Sequence, residues 1–456
     1  MKVVYTTHQF LPDYWTGTEI LAYSCARELI RRDHQVYLLT AYPGPNKNDG
    51  ELFDSYEYEG IWVDRFYYSS KCPIRSKNPM RSEYNNLFYG EHFRRKLLEI
   101  RPDLVHFFHL QRLSASPIEV VSDLKIPSIF TVTDFWLVCP TTQLMLPDST
   151  LCSGPDKWMV NCFRHLALIS RGAEFARALD RIPDRLLGLA IKLARYAKMY
   201  SRHAALIRAL VERPGCIRGL INHLDVVLVS TRYMAERLRC FGLEEKKIWY
   251  TPFGIDRGLE GTIPTKGLER DLRVGFIGTL AFHKGAHVLL EAVRLLPPDL
   301  TLKVKVYGKI DEYPEYTERL RRVAEGDRRI EFCGTFPNRK MGEVFHDLDV
   351  VVVPSLWIEN SPLVIYSAQA WSVPVIVTNL PGMSEVITDG ENGFFFEKGD
   401  ILGLSSIIER LCKHRQLVGQ LSRQATKPKS IKAYVDELED IYSNITSATR
   451  KKAIGA

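Results

Sequence analysis

Short runs of β-branched and aromatic residues alternate along the chain with amphipathic segments of helical period. The first run, Lys2–Thr7, is followed by a glycine loop and then by residues 20–32, where Leu21, Cys25 and Leu29 recur at helical spacing. A second apolar run follows at 35–40. A strand, a helix and a strand in that order form a βαβ unit, which predicts a parallel sheet covered by helices.

The alternation forms two series. The first predicts strands at 2–7, 35–40, 61–67, 103–109, 127–133, 224–230 and 247–250, with helices at 20–32, 85–100 and 232–241. The second predicts strands at 272–277, 302–307, 330–333, 350–353 and 375–377, helices at 287–296, 316–325, 340–347, 363–371 and 401–414, and a last helix at 430–444. We therefore predict an α/β protein of two Rossmann-like doubly wound domains.

Breaks in the pattern give the domain boundaries. We place the N-terminal domain at 1–256 and the C-terminal domain at 271–426, joined by a linker at 257–270 that contains several glycines and a proline. A Lys-Pro-Lys break precedes the last helix, in a C-terminal segment at 427–456. That helix can therefore pack away from the second domain, including back on the N-terminal domain.

Residues 155–220 interrupt the alternation with a basic helical insertion. Between 181 and 218 leucines and isoleucines are interspersed with cations that include Arg185, Lys192, Arg195, Lys198, Arg202, Arg208 and Arg213. Such a segment can lie on anionic lipid. A solvated pair of helices would show the same composition, so both interpretations stay open.

Composition excludes several classes of protein. The 456 residues are 45% hydrophobic and 25% charged, with a net charge of +7, as in an ordinary globular protein. No basic helix with interleaved aromatics indicates nucleic-acid binding. No window of 18 uncharged apolar residues suggests a membrane span, and the chain runs straight into a strand without a signal-like segment. Nine cysteines do not form an evident disulfide framework. We expect a cytoplasmic protein.

Charged residues collect in the loops after the strands of the second series. Lys284 follows the first strand, Glu359 lies between a strand and a helix that begins near Pro362, and Glu385 follows the next strand. Amides at a helix N-terminus favour anions, and carboxylates accept hydrogen bonds from hydroxyls. The set would suit a phosphate joined to a polyol. Taken singly, Glu359 could be a helix cap and Lys284 a solvated lysine. The glycine loops match neither a dinucleotide fingerprint nor a Walker A loop, so we expect no cofactor.

Two further groups offer chemistry in the first series. His106 and His109 end a strand, where an imidazole could position an acceptor hydroxyl or serve the structure alone. Four other side chains, Cys139, Cys152, Cys162 and His165, include a Cys-x2-His pair that could bind zinc. Their irregular spacing suits free buried cysteines better, and we expect no metal.

Several motifs in order resemble the GT-B retaining glycosyltransferases of family four. The resemblance covers nearly the whole chain except about 155–220. Its N-terminal motifs are Gly17-Thr18-Glu19, the run at 102–106, Asp134-Phe135-Trp136 with Cys139-Pro140, and the run at 252–256. Its C-terminal motifs are Gly278-Thr279-Leu280 with His283-Lys284-Gly285, and the runs at 354–364, 374–377 and 389–393.

The resemblance implies two domains facing each other across a cleft. It implies transfer of a sugar, of hexosyl type, from a nucleotide diphosphate sugar to a glycan or lipid-linked acceptor with retention of configuration and usually without a metal. The implied catalytic residues are Glu359, Lys284 and Asp134. The implied donor-binding residues are Gly17, Gly278, Thr279, Lys284, Glu359, Asn360, Ser361, Leu363, Val364 and Ser367. The acceptor lies on the N-terminal domain, where His106, His109 and Thr133 are the candidates.

Two positions depart from the family pattern. Ser367 stands where the family has a second glutamate, and Thr133 stands where it often has a histidine before the aspartate. A serine cannot bind a ribose diol at two points as a carboxylate does. A second interpretation therefore stays open, a catalytically silent subunit that binds nucleotide sugars or acts as a scaffold. An epimerase of the same architecture is a third, but it gives the basic insertion no use.

Overall fold

The computed structural model describes residues 1–44, 51–69, 71–72, 75, 77–146, 148–171, 173–196, 202–256 and 271–454. The predicted linker at 257–270 lies outside the described residues. The chain divides into two compact units: unit 1 joins Met1–Pro252 to the C-terminal segment from Ile431, and unit 2 is Phe253–Ser430.

Unit 1 is built on an eight-stranded sheet. The strands are β1 (Lys2–Thr7), β2 (Gln35–Tyr42), β3 (Phe53–Tyr58), β4 (Ile61–Tyr67), β5 (Leu104–Phe107), β6 (Ser128–Val132), β7 (Val226–Val229) and β8 (Ile248–Tyr250). The helices are α1 (Gly17–Arg31), α2 (Pro79–Ser82), α3 (Leu87–Ile100), α4 (Ser116–Asp123), α5 (Val160–Arg171), α6 (Ala173–Asp180), α7 (Asp184–Tyr196), α8 (Arg202–Ile221) and α9 (Arg232–Phe241). The strand order is β3-β4-β2-β1-β5-β6-β7-β8, parallel throughout except for β3.

Unit 2 contains a six-stranded parallel sheet. Its strands are β9 (Leu272–Ile277), β10 (Leu302–Tyr307), β11 (Ile330–Gly334), β12 (Val350–Val353), β13 (Val375–Thr378) and β14 (Gly393–Phe396). Its helices are α10 (Ala286–Arg294), α11 (Pro314–Ala324), α12 (Met341–Asp347), α13 (Leu363–Ala370), α14 (Ile401–Lys413) and α15 (Gln416–Arg423), with 3₁₀ turns at Phe282–Lys284 and Asn338–Lys340.

The sheet of unit 2 has the order β11-β10-β9-β12-β13-β14, the classical dinucleotide-fold order. Its central strand β12 is four consecutive valines, all buried, because helices cover both faces of a parallel sheet. The strand order reverses between β9 and β12. In such sheets ligands bind beyond the carboxyl ends of the strands at that reversal. The topology therefore predicts a ligand-binding site at the loops that follow β9 and β12.

Among the described residues, five elements were absent from the sequence prediction: the strands β3 and β14, the helices α4 and α15, and the four-residue helix α2. The strands β3 and β14 lie at sheet edges, and β3 pairs antiparallel with β4 over Phe53–Tyr58. β3 is half polar and so lacks the continuous apolar run of a central strand, whereas β14 is a four-residue run of one glycine and three phenylalanines. The helices α4 and α15 are only eight residues each, too short to show a clear helical period.

The last helix, α16 (Ile431–Ile454), packs against α1 and extends the predicted 430–444 by ten residues. Its Tyr442 hydroxyl lies 3.1 Å from the hydroxyl of Tyr5 on β1 and 2.6 Å from Nδ1 of His106 on β5. Nε2 of His106 lies 2.7 Å from Oγ1 of Thr131. Burial lowers the pKa of His106 to about 3, so its ring is neutral. With both ring nitrogens bonded inside the core, His106 joins α16 to the sheet, which favours the structural one of its two predicted roles.

The basic insertion contains the four helices α5 to α8. Leu187 and Ile191 of α7 are buried in a cluster with Val160, Ala167 and Leu179. The insertion therefore has a small core of its own. Its cations are not all on the surface: Arg213 is 1% exposed and donates a hydrogen bond to the carbonyl of Trp136. Lys198 lies outside the described residues. Within the described ranges, no helix is long and apolar enough to cross a membrane.

Replacing Tyr442 by Phe should destabilise unit 1 by about 1–3 kcal/mol, because the hydroxyl of Tyr5 and a ring nitrogen of His106 lose a buried partner. Urea unfolding measures the change. The matched control is Tyr37→Phe on β2, whose hydroxyl makes no hydrogen bond to the described part of the chain; this change should alter stability by under about 0.5 kcal/mol. Equal stability of both variants would contradict the structural role of Tyr442.

Candidate functional site

The loop after β12 surrounds the carboxylate of Glu359, which is 5% exposed. Three donors converge on its Oε1 atom: Nζ of Lys284 at 2.7 Å, Oγ of Ser355 at 2.7 Å and Nε1 of Trp357 at 2.9 Å. Burial alone would raise the pKa of Glu359, but the charge of Lys284 and these hydrogen bonds outweigh it and hold the pKa below its usual value. Glu359 is therefore ionised, and it is not a cap of α13.

Lys284 reaches Glu359 from the loop after β9. The lysine side chain is 26% exposed, and its ammonium lies 5.1 Å from the centre of the Trp357 ring. The two loops are tied together by the amide of Leu356, which donates to the carbonyl of His283 at 2.8 Å. The sequence prediction that a cation and a carboxylate from separate loops come together is thus met by the geometry.

Two glycines let neighbouring loops approach the Glu359 loop. A Cβ on Gly285 would lie 1.8 Å from the carbonyl oxygen of Pro354, and one on Gly382 would lie 1.8 Å from that of Glu359. Both residues also have positive φ, of 72° and 86°. Any side chain at either position would push the loop out of place. The backbone of the Glu359 loop is thus held from both sides.

The remaining candidates of unit 2 surround the same loop. Leu363 and Val364 begin α13 after Pro362, which provides no side-chain cap, and uncapped amides at a helix N-terminus favour an anion. Asn360 and Ser367 are about 95% buried, and Oγ of Ser361 lies 3.0 Å from the hydroxyl of Tyr366. Glu385, from the loop after β13, is exposed.

Gly278 and Thr279 follow β9 directly and are half-buried. A Cβ on Gly278 would meet only the ring of Phe276, at 3.7 Å, which is ordinary contact. The fold of unit 2 thus tolerates a side chain at this position, unlike at Gly285 or Gly382.

Unit 1 gathers polar groups beyond the ends of β1, β5 and β6. Nε2 of His109 lies 2.8 Å from Oδ2 of Asp134, and the amide of Trp136 donates to Oδ1 of Asp134 at 2.8 Å. The amide of Gln111 donates to Nδ1 of His109, so the ring proton must be on Nε2 and is donated to Asp134. His109 is 2% exposed, whereas the Asp134 side chain is 24% exposed. Asp134 is therefore the group that can meet a ligand, and His109 orients it.

Thr133 occupies the place of the family's histidine, and it is engaged by the protein. Its hydroxyl accepts from Thr18 at 2.9 Å and donates to the carbonyl of Phe108 at 3.2 Å. This contact ties the first turn of α1 to the end of β6. Gly17, the first residue of α1, is exposed.

Sequence reasoning gave no role to a buried pair beside this cluster, Glu19 and His8. Glu19 is 0% exposed, and burial raises its pKa although Thr16 donates to it in a capping box. Its Oε1 lies 3.5 Å from Nδ1 of His8, whose ring is 4.3 Å from that of His109. Burial also holds the pKa of His8 well below its usual value. The capping-box spacing of Thr16 and Glu19 was the available signal.

Cys139, Cys152, Cys162 and His165 line one narrow pocket of unit 1. Burial raises the pKa of both the Cys152 and Cys162 thiols, as for free buried cysteines. Over the ranges described above, no three His, Cys, Asp or Glu side chains are arranged to hold a metal ion. The zinc interpretation of these four residues is therefore not supported.

The steric role of Gly382 is testable. Gly382→Ala should destabilise unit 2 by at least about 3 kcal/mol, because the new methyl group meets the backbone of Glu359. Gly390→Ala is the matched control: it has φ +75° but nothing within 4 Å of the new Cβ, so only the backbone strain of about 1–2 kcal/mol applies. Thermal unfolding of both variants compares them, and equal losses would contradict the close approach.

Two family models match the chain. The model described as Glycosyltransferase Family 4 matches residues 15–174, and the model described as Glycosyl transferases group 1 matches residues 271–414. The first match contains α1 and the His109–Asp134 pair, and the second contains Lys284 and Glu359.

Curated relatives resemble parts of the chain. It is 28% identical over 206 residues to the D-inositol 3-phosphate glycosyltransferase of Corynebacterium urealyticum, covering 41% of this chain and 48% of that protein. It is 27% identical over 251 residues to the capsular polysaccharide biosynthesis glycosyltransferase CapM of Staphylococcus aureus, covering 50% of this chain and 63% of that protein. These alignments thus span less than two thirds of either relative.

Solved structures resemble the chain over nearly its whole length. A sucrose-phosphate synthase (tll1590) from Thermosynechococcus elongatus has a TM-score of 0.67 and 15% identity, covering 98% of this chain and 99% of that one. Anabaena Alr3699/HepE in complex with UDP and glucose has a TM-score of 0.63 and 15% identity, covering 97% and 99%. At such identities the likeness concerns the fold. The chain belongs to glycosyltransferase family 4, and its two parallel-sheet α/β units have the GT-B fold.

Proposed function

We propose that the protein transfers a hexose from a nucleotide diphosphate sugar to a glycan or lipid-linked acceptor with retention of anomeric configuration. The observation that carries this proposal is the Lys284–Glu359 pair, held at 2.7 Å beyond the carboxyl ends of β9 and β12 and beside the N-terminus of α13. A cation and helix amides suit a diphosphate, and an ionised carboxylate suits sugar hydroxyls.

We assign the donor to unit 2. Lys284 would neutralise the diphosphate, joined by the amides of Leu363 and Val364 and by the strand end at Gly278 and Thr279. Glu359 would bind hydroxyls of the donor sugar, with Asn360 and Ser361 completing the loop. Ser367 would give the ribose a single hydrogen bond in place of the family's carboxylate. Gly17, in unit 1, stays a predicted donor-binding residue.

In the proposed reaction the bond between the anomeric carbon and the diphosphate oxygen breaks, and the acceptor oxygen bonds to the same face of the sugar. The acceptor proton passes to the departing diphosphate. Fixed positive charge on the phosphate side stabilises the leaving group, which is where electrostatic catalysis contributes most. No metal is assigned a role, and no cofactor beyond the nucleotide sugar.

We assign the acceptor to unit 1. Asp134 would accept a hydrogen bond from an acceptor hydroxyl, with His109 fixing the carboxylate by the 2.8 Å bond between Nε2 and Oδ2. Thr133 would support this site through its bonds to Thr18 and Phe108. The name of the relative CapM, a capsular polysaccharide biosynthesis glycosyltransferase, supports a glycan acceptor.

A second candidate is a catalytically silent subunit that binds nucleotide sugars. Ser367 and Thr133 favour it, because both replace groups the family uses. Calorimetry with a panel of nucleotide sugars, followed by product analysis with and without acceptor, separates the two. Binding with no turnover for any donor or acceptor would favour the silent subunit.

The donor site is tested with Lys284→Met, Glu359→Gln and the double variant. Each single variant should weaken nucleotide-sugar binding about tenfold or more, since one charge-assisted bond is removed. Lys284→Met also leaves Glu359 buried without its cation, so it should lose stability that the double variant recovers. Calorimetry and thermal unfolding measure both effects.

If the double variant recovers stability but does not bind the nucleotide sugar, the Lys284–Glu359 pair is functional. If it recovers both, the pair is only structural. Lys303→Ala, an exposed lysine on β10, is the matched control and should bind normally. Unchanged turnover in both single variants would overturn the assigned donor site.

The acceptor site is tested with Asp134→Asn. Transfer to acceptor should fall about 10²-fold, as for loss of a positioned polar group at a reacting centre, while nucleotide-sugar binding stays unchanged. Initial rates of transfer and calorimetry give the two quantities. His109→Gln should lower transfer less than Asp134→Asn, because glutamine can still donate to Asp134. A loss of donor binding in Asp134→Asn would place this residue on the donor side.

A further inference from the structure

Exposed apolar side chains are concentrated in the helical insertion. Of the twenty exposed large hydrophobic side chains among the described residues, seven belong to 155–220: Trp158, Ile169, Phe175, Ile182, Leu186, Leu189 and Leu193. This stretch is about a seventh of the chain, so the density is more than twice the average. Such clustering is a mark of interaction surfaces, whereas single exposed leucines are normal.

The helix α7 is apolar on two opposite faces. Its buried face holds Leu187 and Ile191, which complete the core of the insertion. Its other face holds Leu186, Leu189 and Leu193, which are 60%, 51% and 61% exposed. At about 100° per residue these three positions fall within one stripe roughly 60° wide. We call them the leucine face.

Positive charge flanks the leucine face. Arg185 and Lys192 are exposed and lie on one side of it, about 90° around the helix. The nearby acids Asp180 and Asp184 are both paired with Arg164, at 3.5 and 2.6 Å, so their charge is partly offset. Trp158 is 40% exposed beside Gly188, with the ammonium groups of Lys157 and Lys192 5.5 and 5.8 Å from its ring.

We propose that the leucine face binds the surface of an anionic lipid bilayer, with α7 lying in the plane of the membrane. Exposed leucines would enter the acyl boundary, Arg185 and Lys192 would meet the head groups, and Trp158 would lie at the interface that tryptophan favours. An anionic bilayer complements both the apolar stripe and the cations beside it, whereas an uncharged surface would complement only the stripe. The inference does not depend on the sugar-transfer chemistry.

A second copy of the chain is the competing occupant, and the structure favours it less. A stable protein dimer buries about 800 Å² on each partner, more than three half-exposed leucines supply. In a twofold dimer through the leucine face, Arg185 and Lys192 of the two copies would also be brought near one another without an anion between them.

The test is flotation of the full chain with vesicles of phosphatidylcholine alone or with added phosphatidylglycerol. The wild type should float with the anionic vesicles, and less in high salt, where screening is stronger. The triple variant Leu186→Ser, Leu189→Ser and Leu193→Ser should reduce the bound fraction about tenfold or more, and Arg185→Glu with Lys192→Glu should do the same. Light scattering measures the oligomeric state of each variant.

The matched control replaces three leucines of equal exposure elsewhere, Leu98, Leu295 and Leu402, by Ser; it should float like the wild type. Thermal unfolding shows that each variant folds, and nucleotide-sugar binding reports unit 2 separately. Absence of wild-type flotation, equal flotation with neutral vesicles, or equal losses in the control would overturn the proposal. So would a wild-type dimer that the triple variant abolishes without any flotation.

Discussion

The carboxylate of Glu359 is the constraint on which the candidate site of unit 2 depends. A buried carboxylate is stable only if it is paired and hydrogen-bonded, because leaving water disfavours its charge. Here the ion pair with Lys284 and the donors from Ser355 and Trp357 meet that need at a single oxygen. The donors come from two loops, so both loops must be in place for Glu359 to remain ionised while it is buried.

The same physics gives the opposite result for Glu19 in unit 1. Burial acts to raise the pKa of both carboxyl groups, and Glu19 is bonded by the hydroxyl and amide of Thr16 with a histidine 3.5 Å away. Arg112 interacts with Glu19 electrostatically, but the effect of burial remains larger and the pKa of Glu19 stays raised, whereas Lys284 bonds directly to Glu359. The two glutamates follow strands of similar sheets and sit near helix starts, yet one is charged and the other tends toward its neutral form. The charge partner of each glutamate, and not its position in the fold, determines the direction in which its pKa is shifted.

The sequence was sufficient to find the strand ends, because buried parallel strands are continuous apolar runs, and β1, β4, β9, β10 and β12 have the predicted bounds. The sequence also predicted that Lys284 and Glu359 lie close together, since the loops that follow parallel strands lie at the same edge of the sheet. It could not separate His106 from His109. These histidines are three residues apart, but Tyr442, 336 residues further along the chain, fills the space beside His106. Only the packing of α16 shows which one is structural.

The insertion shows the same limit for charge and hydrophobicity. From the composition we counted Arg213 among the cations of a surface helix. Its guanidinium is instead buried and donates to the backbone carbonyl of Trp136. Composition also treated the leucines of α7 as equivalent, whereas Leu187 and Ile191 face the insertion's core and Leu186, Leu189 and Leu193 face outward. A helix with a single core-facing stripe would place polar residues on its outer face. Because α7 keeps leucine there beside Arg185 and Lys192, its outer face has the composition of a surface that is covered when the protein works.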